Sequence, residues 1–474
     1  MKSRKILMPL LLAVMAVAGG CSSSHSDDDD IIVGPVPSAR PDYISPACSM
    51  PAIKVEFVEG AGVLNIAGAG YDITEPYLSA SAVKAPVIDL DKLPEGRYTY
   101  ISAPFSEIGG EGDTGDTRAF LDKLSKDAGI SPGGTSTGHP AYAFGSTVDF
   151  YNSPVSASNQ WNMRENFMRT HIFTINTVRP EPLIAALSDE FTSALASMSG
   201  DEIVARFGTH VVVRAITGVA LQFVYGAEII NRDEATAVGQ GFDAIFAYMN
   251  GDANKPDHLS LALMECMNFG GKLTVRVIGG DRDNVHYDAE NIKLTVDNEW
   301  TQGANADNCG IIAIEEKNLK MITEYIADDT KRAEVLDAIV RHINGSQPKI
   351  VATAPLLQSA AGNIFRYANN SDDIAPKGFK FYGVLGNMYI NEEPGSIALY
   401  RYTRDDKSQT LSTERTGNDW MRMGYVMRQP ADNTITLYEI TNGKSVSYTI
   451  EDSDSYGPDD NWHKTGKSFY LIKP

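Results

Sequence analysis

Cations, cysteines and long apolar runs are the three things this chain has little of. Its 474 residues carry 41 lysines and arginines against 61 aspartates and glutamates, a formal net charge of −20. That surplus repels phosphate backbones and anionic lipid alike, which excludes nucleic acid as a partner and excludes adhesion by bulk charge. Only four cysteines occur, Cys21, Cys48, Cys266 and Cys309, in no metal-ligand spacing; leaving Cys21 aside, the other three allow at most one disulfide. No internal apolar run reaches the roughly 20 residues that a membrane-crossing helix needs. Enzymatic signatures are missing too: there is no Gly-x-Ser-x-Gly, His-Glu-x-x-His, phosphate loop or Cys-x-x-Cys. The acidic stretches Asp113-Thr114-Gly115-Asp116 and Asp452-Ser453-Asp454 lack the ligand spacing and closing glutamate of a calcium loop, so turns and helix caps are expected there. The expectation is a protein that is not an enzyme and holds no metal or cofactor.

The two ends carry address and architecture. Lys2, Arg4 and Lys5 precede an apolar run from Ile6 to Ala18, too short to span a bilayer and of signal-peptide length. It closes on Ala18-Gly19-Gly20-Cys21, similar to a bacterial lipobox, in which Cys21 becomes the lipid-bearing first residue of the mature chain after removal of 1–20. Behind Cys21 the run Ser22-Ser23-Ser24-His25-Ser26-Asp27-Asp28-Asp29-Asp30 holds no apolar residue, and 21–45 reads as a disordered acidic tether. That run resembles the export tag of surface lipoproteins in one group of Gram-negative bacteria, and it equally fits a plain spacer; together with the lipobox, the resemblance implies a lipid-anchored, surface-exposed protein on the outer membrane of a Gram-negative bacterium. At the other end, 351–376 reads as a linker and 377–474 as an all-β module. Its weak repeat of about 38 residues is Gly386…Ile397-Ala398-Leu399-Tyr400 and Gly424…Ile435-Thr436-Leu437-Tyr438. Trp420, Trp462 and Tyr400 are its candidate binding aromatics for a glycan or surface receptor, by ring stacking. The same rings serve equally as core.

Between the ends one stretch stands out: Phe207-Gly208-Thr209-His210-Val211, six further residues, then Gly218. Apolar and β-branched residues from Thr209 to Val224 read as a single long strand, with Gly218 marking a bend or close approach. His210 reads as a hydrogen-bonded structural histidine. The spacing resembles the signature of the membrane attack complex/perforin (MACPF) superfamily, except that Val219 stands where the family has a second glycine. Gly68-Ala69-Gly70-Tyr71-Asp72 resembles the turn that opens such domains. Over 46–350 the resemblance implies an α+β fold, with a bent four-stranded antiparallel sheet between two helical clusters that unwind into membrane-inserting hairpins. The first cluster would fall near 110–165, the second near 228–272. Within the first, Tyr142, Phe144, Val148 and Phe150 share a period-two face, as one wall of a barrel or a half-buried strand would. In the second, Gln240 and Asp243 fall on opposite parities, so 235–249 suits a helix packed on a sheet. The resemblance implies self-association into rings on a target membrane, hence a pore-forming toxin or antimicrobial effector. The alternative is a non-lytic adhesin or host-interaction protein that uses the β-module.

Overall fold

The computed structural model describes residues 50–109, 113–131, 141–150, 154–176, 181–230, 234–251, 256–370, 377–415, 419–452 and 461–473. The lipobox, the tether and Cys48 lie outside them. Among the described elements of the amino-terminal domain, those that set its architecture are the strands β1 (Ala52–Val58), β2 (Tyr98–Gly109), β3 (Gln160–Ile175), β4 (Arg214–Ile229) and β5 (Asn268–Ile278) and the helices α1 (Thr117–Asp127), α2 (Gly200–Phe207), α3 (Glu234–Met249), α4 (Pro256–Glu265) and α5 (Asp329–Gly345).

Strands β2, β3, β4 and β5 are neighbours in that order and antiparallel throughout. This is the expected four-strand unit, with one correction: β1 adds to it in parallel, along the free edge of β5. Two short strands extend the sheet further. The opposite edge, β2, has no outer partner among the described residues, and Tyr98, Tyr100, Ile101 and Phe105 on it remain exposed.

Strand β4 alternates between two cores. Val219, Leu221, Phe223 and Tyr225 meet Val238, Phe242, Ile245, Leu259 and Leu263 of α3 and α4. Ala220 and Val224 point the other way, into a core shared with Phe120 and Leu124 of α1, Ile203 and Phe207 of α2, and Ala338 and Ile339 of α5. Helix α2 starts at a capping box, in which Ser199 Oγ accepts from the Glu202 amide and Glu202 reaches back to the Ser199 amide. Asp116, from one of the acidic stretches, caps α1 by accepting from the Ala119 amide.

Irregularities line up across this sheet. Strand β2 shifts register between Ser102 and Phe105, and its neighbour β3 between Arg169 and His171. At the same level β4 changes partner: Ala220 pairs with Ile278 of β5, while Gly218 pairs with Gly310 of the short strand Gly310–Ala313. Bulges at one level bend the strands together. A Cβ on Gly218 would come within 2.0 Å of the Met168 carbonyl oxygen, so the third strand approaches too closely for any side chain. Val219 is accommodated because Gly280 faces it: the missing Cβ there would lie 3.2 Å from Val219 Cγ1.

Three expectations need correction. The stretch after Thr209 is not one strand; it breaks at Val213, whose amide and that of Arg214 both bond Asn318 O, so His210–Val212 joins a separate small sheet with Leu319–Met321. Tyr142, Phe144, Val148 and Phe150 are not a strand face: Phe144 is left-handed (φ 60°) and Gly145–Val148 is a 3-10 turn, with both parities buried. The turn forms because the apolar groups on both sides fill a core pocket that an extended segment would cover on one side only.

The supposed linker is also structured. Residues 353–361 and 364–368 are β6 (Thr353–Ala361) and β7 (Ile364–Ala368), the first strands of the carboxy-terminal domain. They are followed by β8 (Lys380–Tyr389), β9 (Ser396–Thr403), β10 (Gln409–Ser412), β11 (Trp420–Met427), β12 (Thr434–Thr441), β13 (Val446–Thr449) and β14 (His463–Ile472). The pairing repeats three times: β6 with β7 and β8, β9 with β10 and β11, β12 with β13 and β14. Strands β8, β11 and β14 each pair with both of the others, which closes the three units about one axis. Leu356, Leu399 and Leu437 occupy equivalent positions on β6, β9 and β12, and all three are fully buried. The 38-residue spacing therefore records two successive steps from one unit to the next in a threefold pattern, from β8 to β9 and from β11 to β12. The first unit is missed because its strand reads Ala-Pro-Leu-Leu instead of Ile-x-Leu-Tyr.

Gly218→Ala is expected to cost about 2 to 3 kcal/mol of unfolding free energy through backbone overlap. Gly345→Ala, where no atom lies within 4 Å of the new Cβ, should change it by no more than about 0.5 kcal/mol. Urea titration followed by tryptophan fluorescence separates the two.

Candidate functional site

The two glycine motifs of the sequence meet in space. Tyr71 bridges Gly208, and a Cβ on Gly70 would fall 1.9 Å from Phe207 O while one on Gly208 would fall 2.6 Å from the Tyr71 carbonyl carbon. Both glycines are there because two backbones touch. Gly208, at φ 74°, also ends α2 in a conformation that L side chains avoid. Thr209 then ties the junction: its amide donates to Tyr71 O (3.0 Å) and its Oγ1 accepts from the Ile73 amide (3.2 Å). Thr209 Oγ1 also lies 2.9 Å from Nδ1 of His210, a buried ring whose pKa is driven down to about 4 by burial. His210 is accordingly neutral at physiological pH.

Asp72, next in the opening turn, reaches α5. Its Oδ2 lies 2.8 Å from His342 Nε2, and its Oδ1 accepts from the Thr74 amide (3.0 Å) and Thr74 Oγ1 (2.8 Å). Burial works to raise the Asp72 pKa, but the His342 contact and the Thr74 donors outweigh it and hold the carboxyl below its ordinary range. The hydrogen bond to Asp72 raises the His342 pKa, against the opposing effect of burial. This turn, the signature and the last helix thus form one joint beneath the sheet.

A row of polar side chains crosses the sheet at one level. Glu56 on β1 pairs with Arg276 on β5, Arg276 with Gln222 on β4, and Gln222 with Glu165 on β3. Arg276 Nε donates to Glu56 Oε2 (2.7 Å), Arg276 Nη1 to Gln222 Oε1 (3.0 Å), and Gln222 Nε2 to Glu165 Oε1 (2.6 Å). Arg276 and Gln222 are buried, so each needs the others: an unpaired buried charge is far costlier than the paired one. Burial raises the pKa of Glu165. Reading the sequence for motifs missed this row, yet it left a signal: single polar residues inside apolar strands, as in Leu-Gln-Phe, Val-Arg-Val and Val-Glu-Phe.

The bent antiparallel sheet, the signature seated at its joint, and helical segments joining β2 to β3 and β4 to β5 settle the architecture. This is the arrangement that the resemblance to the MACPF superfamily implies. No family model matches it, and no curated protein does. Among solved structures it is similar to GNIP1Aa from Chromobacterium piscinae, at 13% identity and a TM-score of 0.44, over 86% of this chain and 83% of that one. It is similar also to a MAC/Perforin-domain protein from Bacteroides thetaiotaomicron, at 15% identity and 0.45, over 65% of this chain and 66% of that one. Astrotactin-2, a perforin-like vertebrate membrane protein, follows at 10% identity and 0.29, over 86% and 72%.

The segment between β4 and β5 is the helix pair α3 and α4. Phe223, Phe242 and Phe246 pack ring to ring beneath it, and Arg164 of β3 holds Asp243 (2.7 Å) while lying 4.3 Å over Phe242. The segment between β2 and β3 holds one described helix, α1, whose Phe120 stacks on Trp161 at 5.3 Å.

The three sequence-chosen aromatics separate. Trp462 is buried against Phe365 in the core of the carboxy-terminal domain and is no surface ligand; the apolar body of the ring fills the space between strands. Trp420 and Tyr400 stay together at the surface, ring centroids 5.3 Å apart and perpendicular, with Arg415 lying 3.8 Å over Trp420. The threefold pattern explains them. Tyr400 pairs with Arg422 and Ser412, as Leu357 pairs with Val384 and Ala368; Tyr402 pairs with Trp420, as Ser359 pairs with Phe381. In the first unit that face, Leu357, Ala368, Phe381 and Val384, is buried against Ile230, Met267 and Phe269 of the amino-terminal domain. In the second unit the same face carries Tyr400, Trp420 and Arg422 and is partly open.

The Asp72–His342 pair gives a pH signature. A raised histidine pKa adds stability below its ordinary value near 6.5, which is lost as pH rises through the folded value; a lowered aspartate pKa adds stability above the ordinary carboxyl range, which is lost in acid. The pair contributes most between about pH 4 and 6.5. Thermal melts from pH 5 to 8 should show the wild type losing this increment as pH rises, and Asp72→Asn lacking it.

Proposed function

We propose that the protein is a lipid-anchored surface MACPF effector that assembles on a target membrane and inserts β-hairpins, acting without enzymatic chemistry. The observation that carries this reading is the placement of α3 and α4. They span Glu234–Met249 and Pro256–Glu265, in the connection between two strands that are already antiparallel neighbours. Unwinding would prolong an existing hairpin, and the segment is long enough for two membrane strands of about 9 to 11 residues and a turn. The open edge of β2, with its exposed Tyr98, Tyr100, Ile101 and Phe105, supports self-association, since an unpaired strand edge is a template for another chain. Anchoring through Cys21 at the outer face of the outer membrane fits an acidic chain that depends on specific contacts for its target.

A second reading is favoured by the open face of the second β-unit. Trp, Tyr and Arg are the residues that dominate binding hot spots. Tyr400, Trp420 and Arg422 sit where the first unit makes its own domain contact, so a non-lytic adhesin would bind a surface receptor or glycan there.

A reducible, disulfide-containing cross-linker joining Phe223→Cys to Phe246→Cys, whose native rings lie 5.2 Å apart, would pin α3 to β4. The expected result is dye leakage from target vesicles by the reduced variant and none by the cross-linked one. Leakage in both states would sink the insertion reading. Trp420→Ala is expected to weaken saturable cell binding about tenfold or more, as for a hot-spot residue, with leakage from receptor-free vesicles unchanged.

A further inference from the structure

The carboxy-terminal domain docks where both helical segments leave the sheet. On the second segment, the face of the first β-unit covers Ile230, Met267 and Phe269, and Met264 of α4 is buried within the core of the carboxy-terminal domain beside Leu356 and Leu385. Asn387 of β8 donates from Nδ2 to Glu228 Oε2 (2.6 Å), one residue before the end of β4. On the first segment, Val155–Ser156 pairs in parallel with Ile350–Val351, and Ser156 Oγ lies 2.5 Å from Thr353 Oγ1. Ser156 O in turn accepts from Thr117 Oγ1 (2.6 Å), the first residue of α1. Ser158 Oγ closes the ring by donating to Glu228 Oε1 (3.0 Å).

We infer that the carboxy-terminal domain is an intramolecular clasp that holds both helical segments in their folded, sheet-packed form, and that its release must precede their unwinding. The inference rests on the reading of those segments as refoldable. Its physical basis is that one seam fixes the roots of both, so neither can lengthen its strands while Asn387, Thr353 and the first-unit face remain docked. The seam is buried, and its central group is a carboxyl. Glu228 faces Asn387 and Ser158, with the buried Lys272 of β5 its charged neighbour; Asp149 in turn acts on Lys272. Burial pushes the Glu228 pKa up to about 7. An acid whose folded pKa is raised supports the folded contact below the ordinary carboxyl range, and that support is lost as pH rises through the raised value.

Hydrogen exchange of the full mature chain in solution, without membrane, tests the clasp independently of insertion. Asn387→Asp places a second carboxylate against Glu228. The expected result is at least about tenfold faster exchange in 234–249, 256–265 and 117–127, with β12 to β14 as protected as in the wild type. Glu228→Gln should remove the loss of protection between pH 6 and 8. Unchanged protection of the segments in Asn387→Asp overturns the inference, and so does loss of protection throughout the chain. Should Asn387→Asp fail to fold, Asn387→Ala is read by the same criteria. A wild type that never leaks vesicles while Asn387→Asp still frees the segments would refute insertion and leave the clasp standing.

Discussion

Strand β4 has neither a face nor an edge left to water over most of its length, and the domain is arranged around that constraint. Its two side-chain rows are each buried in a different core, and its edges are taken by β3 and by β5. Fully burying one large aliphatic or aromatic side chain contributes about 1.5 to 3 kcal/mol, so the strand binds the two layers to each other. It also fixes what can move. Helices α3 and α4 are held by one row of β4, and they lie on the chain that connects β4 to its neighbour. Whatever loosens them acts on the central strand.

The polar row shows how such a sheet keeps its alignment. Gln222 is the only polar side chain of β4 that links neighbours on both sides through its amide among the described hydrogen bonds, accepting from Arg276 and donating to Glu165. Removing one member of such a network is costly, because it leaves a buried charge or amide without its partner. The joint between Tyr71 and Gly208 works differently: it depends on absent side chains, because contact between two backbones is possible only where no Cβ intervenes.

How much of this was legible in the sequence varied with the range of the interaction. Local signals were sound. The Ser199–Glu202 capping box, the helix over 235–249 and the glycines flanking the signature each depend on neighbours within a few residues or on backbone conformation. The parity pattern at 142–150 misled, because a period-two pattern arises equally when a turn buries residues on both sides. Trp462 misled because an aromatic side chain carries no mark of which way it faces. The start of the carboxy-terminal domain was missed because Pro355 and the alanines of β6 look like a connection, and only pairing with β8 shows otherwise. The Glu56 to Glu165 row was hidden because its members are brought together from four separate strands.

That row has one further consequence. Because side chains alternate across a strand, displacing any of these strands by one residue along its neighbour would swing Arg276 or Gln222 from one layer to the other, among the phenylalanines beneath α3. The strands are therefore pinned against shear. Any growth of this sheet must come by adding new rungs at its ends, with every existing pair of partners kept.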